Sequence, residues 1–302
     1  MQFMQFAKYG IILRRGWVTV RQPRKTAFIT DMATEKNNCG IAERTGMAIV
    51  SLCLAVGGIF EFCGRLAAAI WRACFARNMR SRLPGFSDIF MRAGAEAVPV
   101  TMLVGFLLGF IIAYMSAAML NKFGAEIYVA NLIGLSLIKE LGIIVAAIVI
   151  AARSASAFAA EIGTMTVNDE IAAMRTMGID PVGYLVLPRI IAGALALPLL
   201  SLFADLAGLV GGYLTLAMFG YSAKVFLTNA FSFCAPADLV TSLAKGVVFG
   251  MAISAAGCRC GLSTGLGADA VGKATTKAVV SSLVLFIAMD GIFALILSAR
   301  GA

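Results

Sequence analysis

The stretch Ala97-Val-Pro-Val-Thr-Met-Leu-Val-Gly-Phe-Leu-Leu-Gly-Phe-Ile-Ile-Ala-Tyr-Met-Ser-Ala-Ala-Met-Leu120 contains no charged residue. A bilayer core about 30 Å thick is crossed by roughly 20 apolar residues in a helix rising about 1.5 Å per residue. This segment is long enough to cross. Four more segments of the same character follow, at 127–152, 190–218, 239–256 and 276–297. Pro198 lies inside the third and predicts a kink or tilt there. The fold class is therefore an all-α integral membrane protein of about five transmembrane helices.

Composition agrees. Of 302 residues, 60% are hydrophobic and only 14% charged, against about 25% charged in soluble domains. Mean hydropathy is +0.91. The net charge of +9 is concentrated in the N-terminal residues and in particular loops, a pattern of membrane orientation signals rather than of a nucleic-acid face. The first ten residues carry no signal-peptide pattern. The seven cysteines, at 39, 53, 63, 74, 234, 258 and 260, show no disulfide framework and read as small buried hydrophobes. With no histidine in the chain, neither a zinc site nor Ser-His-Asp catalysis is expected.

Residues 1–45 hold eight Lys or Arg and read as a basic cytoplasmic arm; 46–302 read as the membrane domain. The apolar run 46–60 is too short to span. Continued to 76 as a helix, it places Glu61, Arg65 and Arg72 within about 40° of one another. Basic flanks on both sides predict an interfacial helix over 46–76 lying along the cytoplasmic leaflet, with a sixth span as the alternative.

Loop charge sets the orientation. Loops 153–189 and 257–277 carry three Lys or Arg each, whereas loops 121–126 and 219–238 carry one each. With the N-terminus inside, both richer loops fall inside and the C-terminus ends outside. Gly105, Gly109, Gly208, Gly211, Gly212 and the Ala/Ser run 151–160 predict close helix packing.

Lys139, Glu140, Asp205, Lys245 and Asp290 lie inside apolar segments, and Arg153 lies at the end of one. Each costs at least about 2.5–3.5 kcal/mol at the bilayer centre unless it faces a partner or a cavity. Two readings follow: internal pairing, such as Glu140 with Lys245, or a polar patch that meets a lipid headgroup. The segment 161–181 is amphipathic. Asn168 is expected to cap a short helix, with Ile171, Met174 and Met177 on one face, Gly178 just past its end and Pro181 stopping it.

Leu137-Ile-Lys-Glu-Leu-Gly142, Ala152-Arg153-Ser154, Ala160-Glu-Ile-Gly-Thr-Met165, Met177-Gly-Ile-Asp-Pro181, Tyr184-Leu-Val-Leu-Pro-Arg189 and Gly272-Lys-Ala-Thr-Thr-Lys-Ala-Val-Val280 together resemble the MlaE/YrbE family of ABC transporter permeases, over roughly 45–298. Ile143 stands where the family usually has Pro, and Asp169-Glu-Ile-Ala-Ala-Met174 where it often has Glu-Gln-Ile-Asp-Ala-Leu. The resemblance implies a homodimeric permease of the bacterial inner membrane, moving phospholipid between inner and outer membranes. It implies cytoplasmic ABC ATPase subunits, a periplasmic MCE-domain protein and a small STAS-type subunit as partners. It further implies a substrate cavity at Glu140 and Lys245, with Lys139 and Arg153 beside them. A coupling helix seated in the ATPase would use Glu161, Met165, Asp169, Glu170, Met174, Met177 and Asp180.

Gly267-Ala-Asp-Ala-Val-Gly-Lys273 imitates most of a phosphate-binding loop, but Ala274 stands where Mg²⁺ coordination needs Ser or Thr, and a span rather than a strand precedes it. The chain is therefore expected to bind no cofactor and to have no enzymatic activity, with ATP and Mg on the partner ATPase. The competing readings are an ion-coupled secondary transporter and a non-transporting membrane scaffold. No internal repeat favours the first, and the intramembrane charges weigh against the second.

Overall fold

The computed structural model describes Ile11–Arg14, Trp17–Val20, Gly64 and residues 85–299. The chain divides into two units, Met1–Cys63 and Gly64–Ala302. In the first, β1 (Ile11–Arg14) pairs antiparallel with β2 (Trp17–Val20), setting Ile11 opposite Val20. No strand was expected in this basic stretch. The expected interfacial helix over 46–76 lies outside the described residues, apart from Gly64, which is helical.

The described part of the second unit is helical. A short amphipathic helix, α1 (Phe86–Ala93), leads through a single tight turn at Ala95–Ala97 into α2 (Val98–Leu120). Next come α3 (Tyr128–Val167), α4 (Glu170–Thr176), α5 (Val182–Met218), α6 (Ala223–Ser232), α7 (Pro236–Leu262) and α8 (Ala268–Ala299). The segment from α1 through α2, together with α3, α5, α7 and α8, is long and apolar enough to make five membrane crossings. The all-α membrane fold is thus the one the apolar runs predict.

The helices overrun their apolar runs. α3 continues through Arg153 to Val167, because the Ala/Ser-rich stretch after the apolar run contains no helix breaker. Asn168 does not cap the following helix, as its side chain suggested. It ends α3, its N–H bonded to the Thr164 carbonyl, and Asp169 turns the chain at φ 60°. Gly178 takes the left-handed conformation expected after a helix end, at φ 76°. Pro181 begins α5 as well as ending what precedes it. The Asp180 carboxylate accepts the N–H groups of Val182 at 3.2 Å and Gly183 at 3.3 Å, satisfying donors that a helix start leaves free. Helix α6 falls in a connection read as loop. Its Phe226 and Ala230 are buried against the Tyr128–Ser136 part of α3.

Glycine sets the spacing of the bundle. On α2, Gly105 lies on the backbone of Ala204, and Gly109 on that of Gly208; on α5, Gly211 meets the Phe106 carbonyl. On α7, Gly246 faces Pro198 and Gly250 faces Gly193 of α5, while Gly257 meets Ala155 of α3. A side chain at these points would hold the backbones apart. The most apolar window of α5 is 67% buried, that of α2 only 22% and that of α8 11%. The bundle is therefore built around α5, and α2 and α8 turn apolar surface outward. Alternating direction gives it two ends. One carries α1, α4 and the α7–α8 turn; the other carries the α2–α3 turn and α6.

Candidate functional site

Leu137–Leu141 forms the first of two π-helical turns inside α3, the second being Ala151–Ala155; it is closed by Gly142 N–H bonding to the Leu137 carbonyl. Such a turn adds one residue to the helix and re-aims the side chains it carries. Here they are Lys139 and Glu140, and both reach α7. Lys139 Nζ lies 3.2 Å from Asp238 Oδ1, and Glu140 Oε1 lies 2.7 Å from Lys245 Nζ. Asp238 and Lys245 stand two turns apart on one face of α7. The other Asp238 oxygen accepts the Ala235 N–H at the start of α7, so the aspartate has little freedom to leave its lysine.

Asp290 of α8 adds a second carboxyl beside Glu140 and within the field of Lys245. Three spans thus contribute one ionisable group each to a cluster between apolar helices. Lys245 is buried, and Glu140 and Asp290 remain partly open. The sequence reading paired Glu140 with Lys245 but gave Asp290 no place in the cavity. The signal was available in an unexplained intramembrane carboxylate; its depth relative to Glu140 was not.

Arg153 does not join this cluster. Three turns and more along α3, it pairs with Glu96 at the α1 end of the bundle. There Arg189 of α5 donates to Glu161 Oε2 at 2.7 Å and to the Leu185 carbonyl at 2.8 Å, and lies over the Phe158 ring at 5.8 Å. Arg92 approaches the same glutamate at 3.6 Å. These residues surround a cavity of about 470 Å³. Glu161 is therefore engaged within its own chain.

The remaining residues expected in the coupling segment divide by exposure. Asp169, Glu170 and Met177 are exposed, as is Asp180, which caps α5; Met165 is half-buried and Met174 is buried. Ile171 and Met174, expected on the same presented face as Met177, are turned inward. The presented surface is instead Ala172, Ala173, Met177 and Ile179 with their polar neighbours. The phosphate-loop imitation is a helix start. Gly267 turns at φ 95°, α8 begins at Ala268, and Lys273 pairs with Asp269 at 2.6 Å one turn away.

At the end that carries α6, Tyr221 donates to Glu126 at 3.2 Å, tying the α2–α3 turn to the α5–α6 connection. Burial and the neighbouring Glu126 carboxylate hold the Tyr221 hydroxyl above its ordinary 10.0.

Comparison with known proteins places this arrangement. The chain is 38% identical over 195 residues to a probable ABC transporter permease protein of Rickettsia prowazekii, covering 64% of this chain and 75% of that one. It is 37% identical over 191 residues to a probable ABC transporter permease protein of Synechocystis, covering 63% and 73%. It is 36% identical over 199 residues to the chloroplastic protein trigalactosyldiacylglycerol 1 of Arabidopsis thaliana, covering 65% and 57%. The family profile for permease MlaE matches residues 86–296, from the first residue of α1 into the last turns of α8. Since that match takes in all five described spans and both charged clusters, the chain belongs to the MlaE permease family.

Proposed function

We propose that this chain is the permease subunit of an ABC transporter that moves phospholipid between the inner and outer membranes of a bacterium. Separate cytoplasmic ATPase subunits drive it. The observation that carries the reading is the Glu140–Lys245–Asp290 cluster. A zwitterionic or anionic headgroup needs opposed charges within a wall that also tolerates acyl chains, and this cluster offers both signs amid apolar helix surface. Relatives named ABC transporter permeases support the class, and the Arabidopsis relative named for a glycolipid supports lipid as cargo.

The assembly is a homodimer, joined through the outward apolar faces. The α1–α4 end, with its richer loop charge, faces the cytoplasm, and the C-terminus lies in the periplasm. The ATPase grips α4. Asp169 joins α4 to α3, and Asp180 caps α5 just beyond it, so a push on α4 reaches two spans directly. ATP-driven closure of the ATPase pair then shifts the dimer cavity between lipid-accepting and lipid-releasing states. A periplasmic MCE-domain protein receives or supplies lipid at the opposite end, and a small STAS-type subunit accompanies the ATPase.

The test is gentle detergent purification of the tagged chain from its native host, with mass spectrometry of what accompanies it. Recovery of an ATPase, an MCE-domain protein and phospholipid supports the assignment. Recovery of the chain alone in every detergent tried overturns it.

A further inference from the structure

Asp205 sits in the middle of α5, buried, and no donor among the described residues reaches its Oδ1. An ionisable group so placed, with one oxygen unbonded, runs against the rule that buried polar atoms find partners. It therefore calls for an explanation other than an ion pair. The neighbour supplies one. A Cβ on Gly142 would fall 2.9 Å from Asp205 Oδ2 and closer still to Oδ1, so the carboxyl occupies the space that a side chain at 142 would fill. Gly142 is the residue that closes the π-helical turn. At the other end of that turn, Leu137 lays its side chain on Gly208, less than one helical turn beyond Asp205 on α5. The α5 surface thus holds the turn at both ends, with a cavity for Leu137 at Gly208 and a projection at Asp205 that fits the notch of Gly142. Behind this surface, the backbones of α2 press on Ala204 and Gly208, which keeps it from retreating.

We infer that Asp205 is a positioning residue: by filling the notch of Gly142 it fixes the π-helical turn that carries Glu140 to Lys245. Shape is the property used. An ionised carboxylate left there without a counter-charge would be expensive, and the charged side chains of the turn are both taken up by α7. It follows that an amide of the same shape should serve equally. It follows too that the notch can be filled from either side, by Asp205 reaching to Gly142 or by a methyl at 142 reaching toward a shortened residue 205.

The inference rests on the proposed function only in its importance to cargo, and the test separates the two. The full-length chain in lipid nanodiscs is unfolded thermally for the parent, Glu140→Gln, Lys245→Met and the pair together. The part of the midpoint shift that is not additive reads the Glu140–Lys245 coupling. The same cycle is run in Asp205→Ala, Asp205→Asn, Gly142→Ala and Asp205→Ala/Gly142→Ala backgrounds. The expected result is coupling lost in Asp205→Ala and in Gly142→Ala, kept in Asp205→Asn and restored in the Asp205→Ala/Gly142→Ala double variant. Coupling that survives in Asp205→Ala, or that Asp205→Asn removes as fully, overturns the inference. If Asp205→Ala does not fold, the Asp205→Asn and double backgrounds decide, since loss of coupling in either is fatal. Co-purified phospholipid in Glu140→Gln is measured alongside. An unchanged amount sinks the cargo role of the cluster and leaves the coupling result standing.

Discussion

Glu140 and Lys245 meet at 2.7 Å with very unequal access to solvent: the lysine side chain is 4% exposed and the glutamate 40%. The two ends of the pair therefore respond differently to mutation. Glu140→Gln takes the bonded carboxylate away from a buried ammonium, at a cost of about 3 kcal/mol. Lys245→Met leaves a carboxylate that is already partly open, at a smaller cost. Glu140→Leu with Lys245→Met should recover much of the loss. Unfolding midpoints of the three variants in one detergent check this order. A Lys245→Met variant less stable than Glu140→Gln contradicts it.

Two of the ion pairs at the α1 end, Arg189–Glu161 and Arg153–Glu96, make a second contrast. Arg189 is 9% exposed and also bonded to the Leu185 carbonyl, whereas Arg153 and Glu96 are 39% and 57% exposed. Glu161→Gln should therefore cost about 2–3 kcal/mol, and Glu96→Gln less than about 1 kcal/mol. Adding salt should narrow the Glu96 effect and leave the Glu161 effect nearly unchanged. The measurement is unfolding of both variants at low and high ionic strength.

Glycines in this chain are not equivalent. A Cβ at Gly109 would stand 2.6 Å from the carbonyl carbon of Gly208 and closer still to its oxygen, whereas one at Gly291 would meet nothing within 4 Å. Gly109→Ala should destabilise by about 1–3 kcal/mol by forcing α2 and α5 apart. Gly291→Ala should stabilise by about 0.5–1 kcal/mol through helix propensity and a stiffer unfolded chain. Paired unfolding curves decide, and equal shifts in the two would disprove the close crossing.

The spans were legible because each is a long apolar run with a single physical meaning in a bilayer. Their ends were not. Apolarity stops where the membrane does, whereas α3 runs on to Val167, where Asn168 ends it. The π-helical turn left no trace either, since Leu137-Ile-Lys-Glu-Leu141 has an ordinary helical composition and the extra residue is fixed by α5. The charges in the spans announced themselves one by one, and Glu140 with Lys245 could be guessed from opposite sign. That Arg153 belongs with Glu96, and Asp290 with Glu140, depends on depth and rotation, which a one-dimensional pattern does not carry. Asn168 misled because an Asn or Asp side chain suits a helix start and a helix end alike.

Tyr221 supplies a prediction in pH. Burial and the Glu126 carboxylate raise its hydroxyl pKa above 10.0. A raised folded-state pKa contributes stability that is present below the unfolded value and lost as pH climbs through the folded one. The loss therefore begins near pH 10 and deepens above it. Tyr221→Phe removes the ionising group, so its stability should fall less steeply than the parent's in that window. Below pH 9 the variant should be slightly weaker, for want of the hydrogen bond to Glu126. Unfolding midpoints across pH 8–11 test it, and parallel curves would refute the assignment.

Met174 and Met177, three residues apart, look interchangeable in the sequence but occupy opposite environments. Met174 is 8% exposed and its carbonyl accepts the Ile179 N–H, while Met177 is 67% exposed. An aspartate at 174 would bury a charge without a partner, so Met174→Asp should destabilise the α4 end by about 2–5 kcal/mol or prevent accumulation of the chain. An aspartate at 177 meets water, so Met177→Asp should leave the unfolding midpoint within about 0.5 kcal/mol of the parent. If α4 is the surface the ATPase grips, Met177→Asp should nonetheless reduce recovery of the ATPase in a pulldown, because it places a charge in the centre of an apolar contact. A stable Met177→Asp chain that still captures its ATPase in full would move the coupling surface away from this helix.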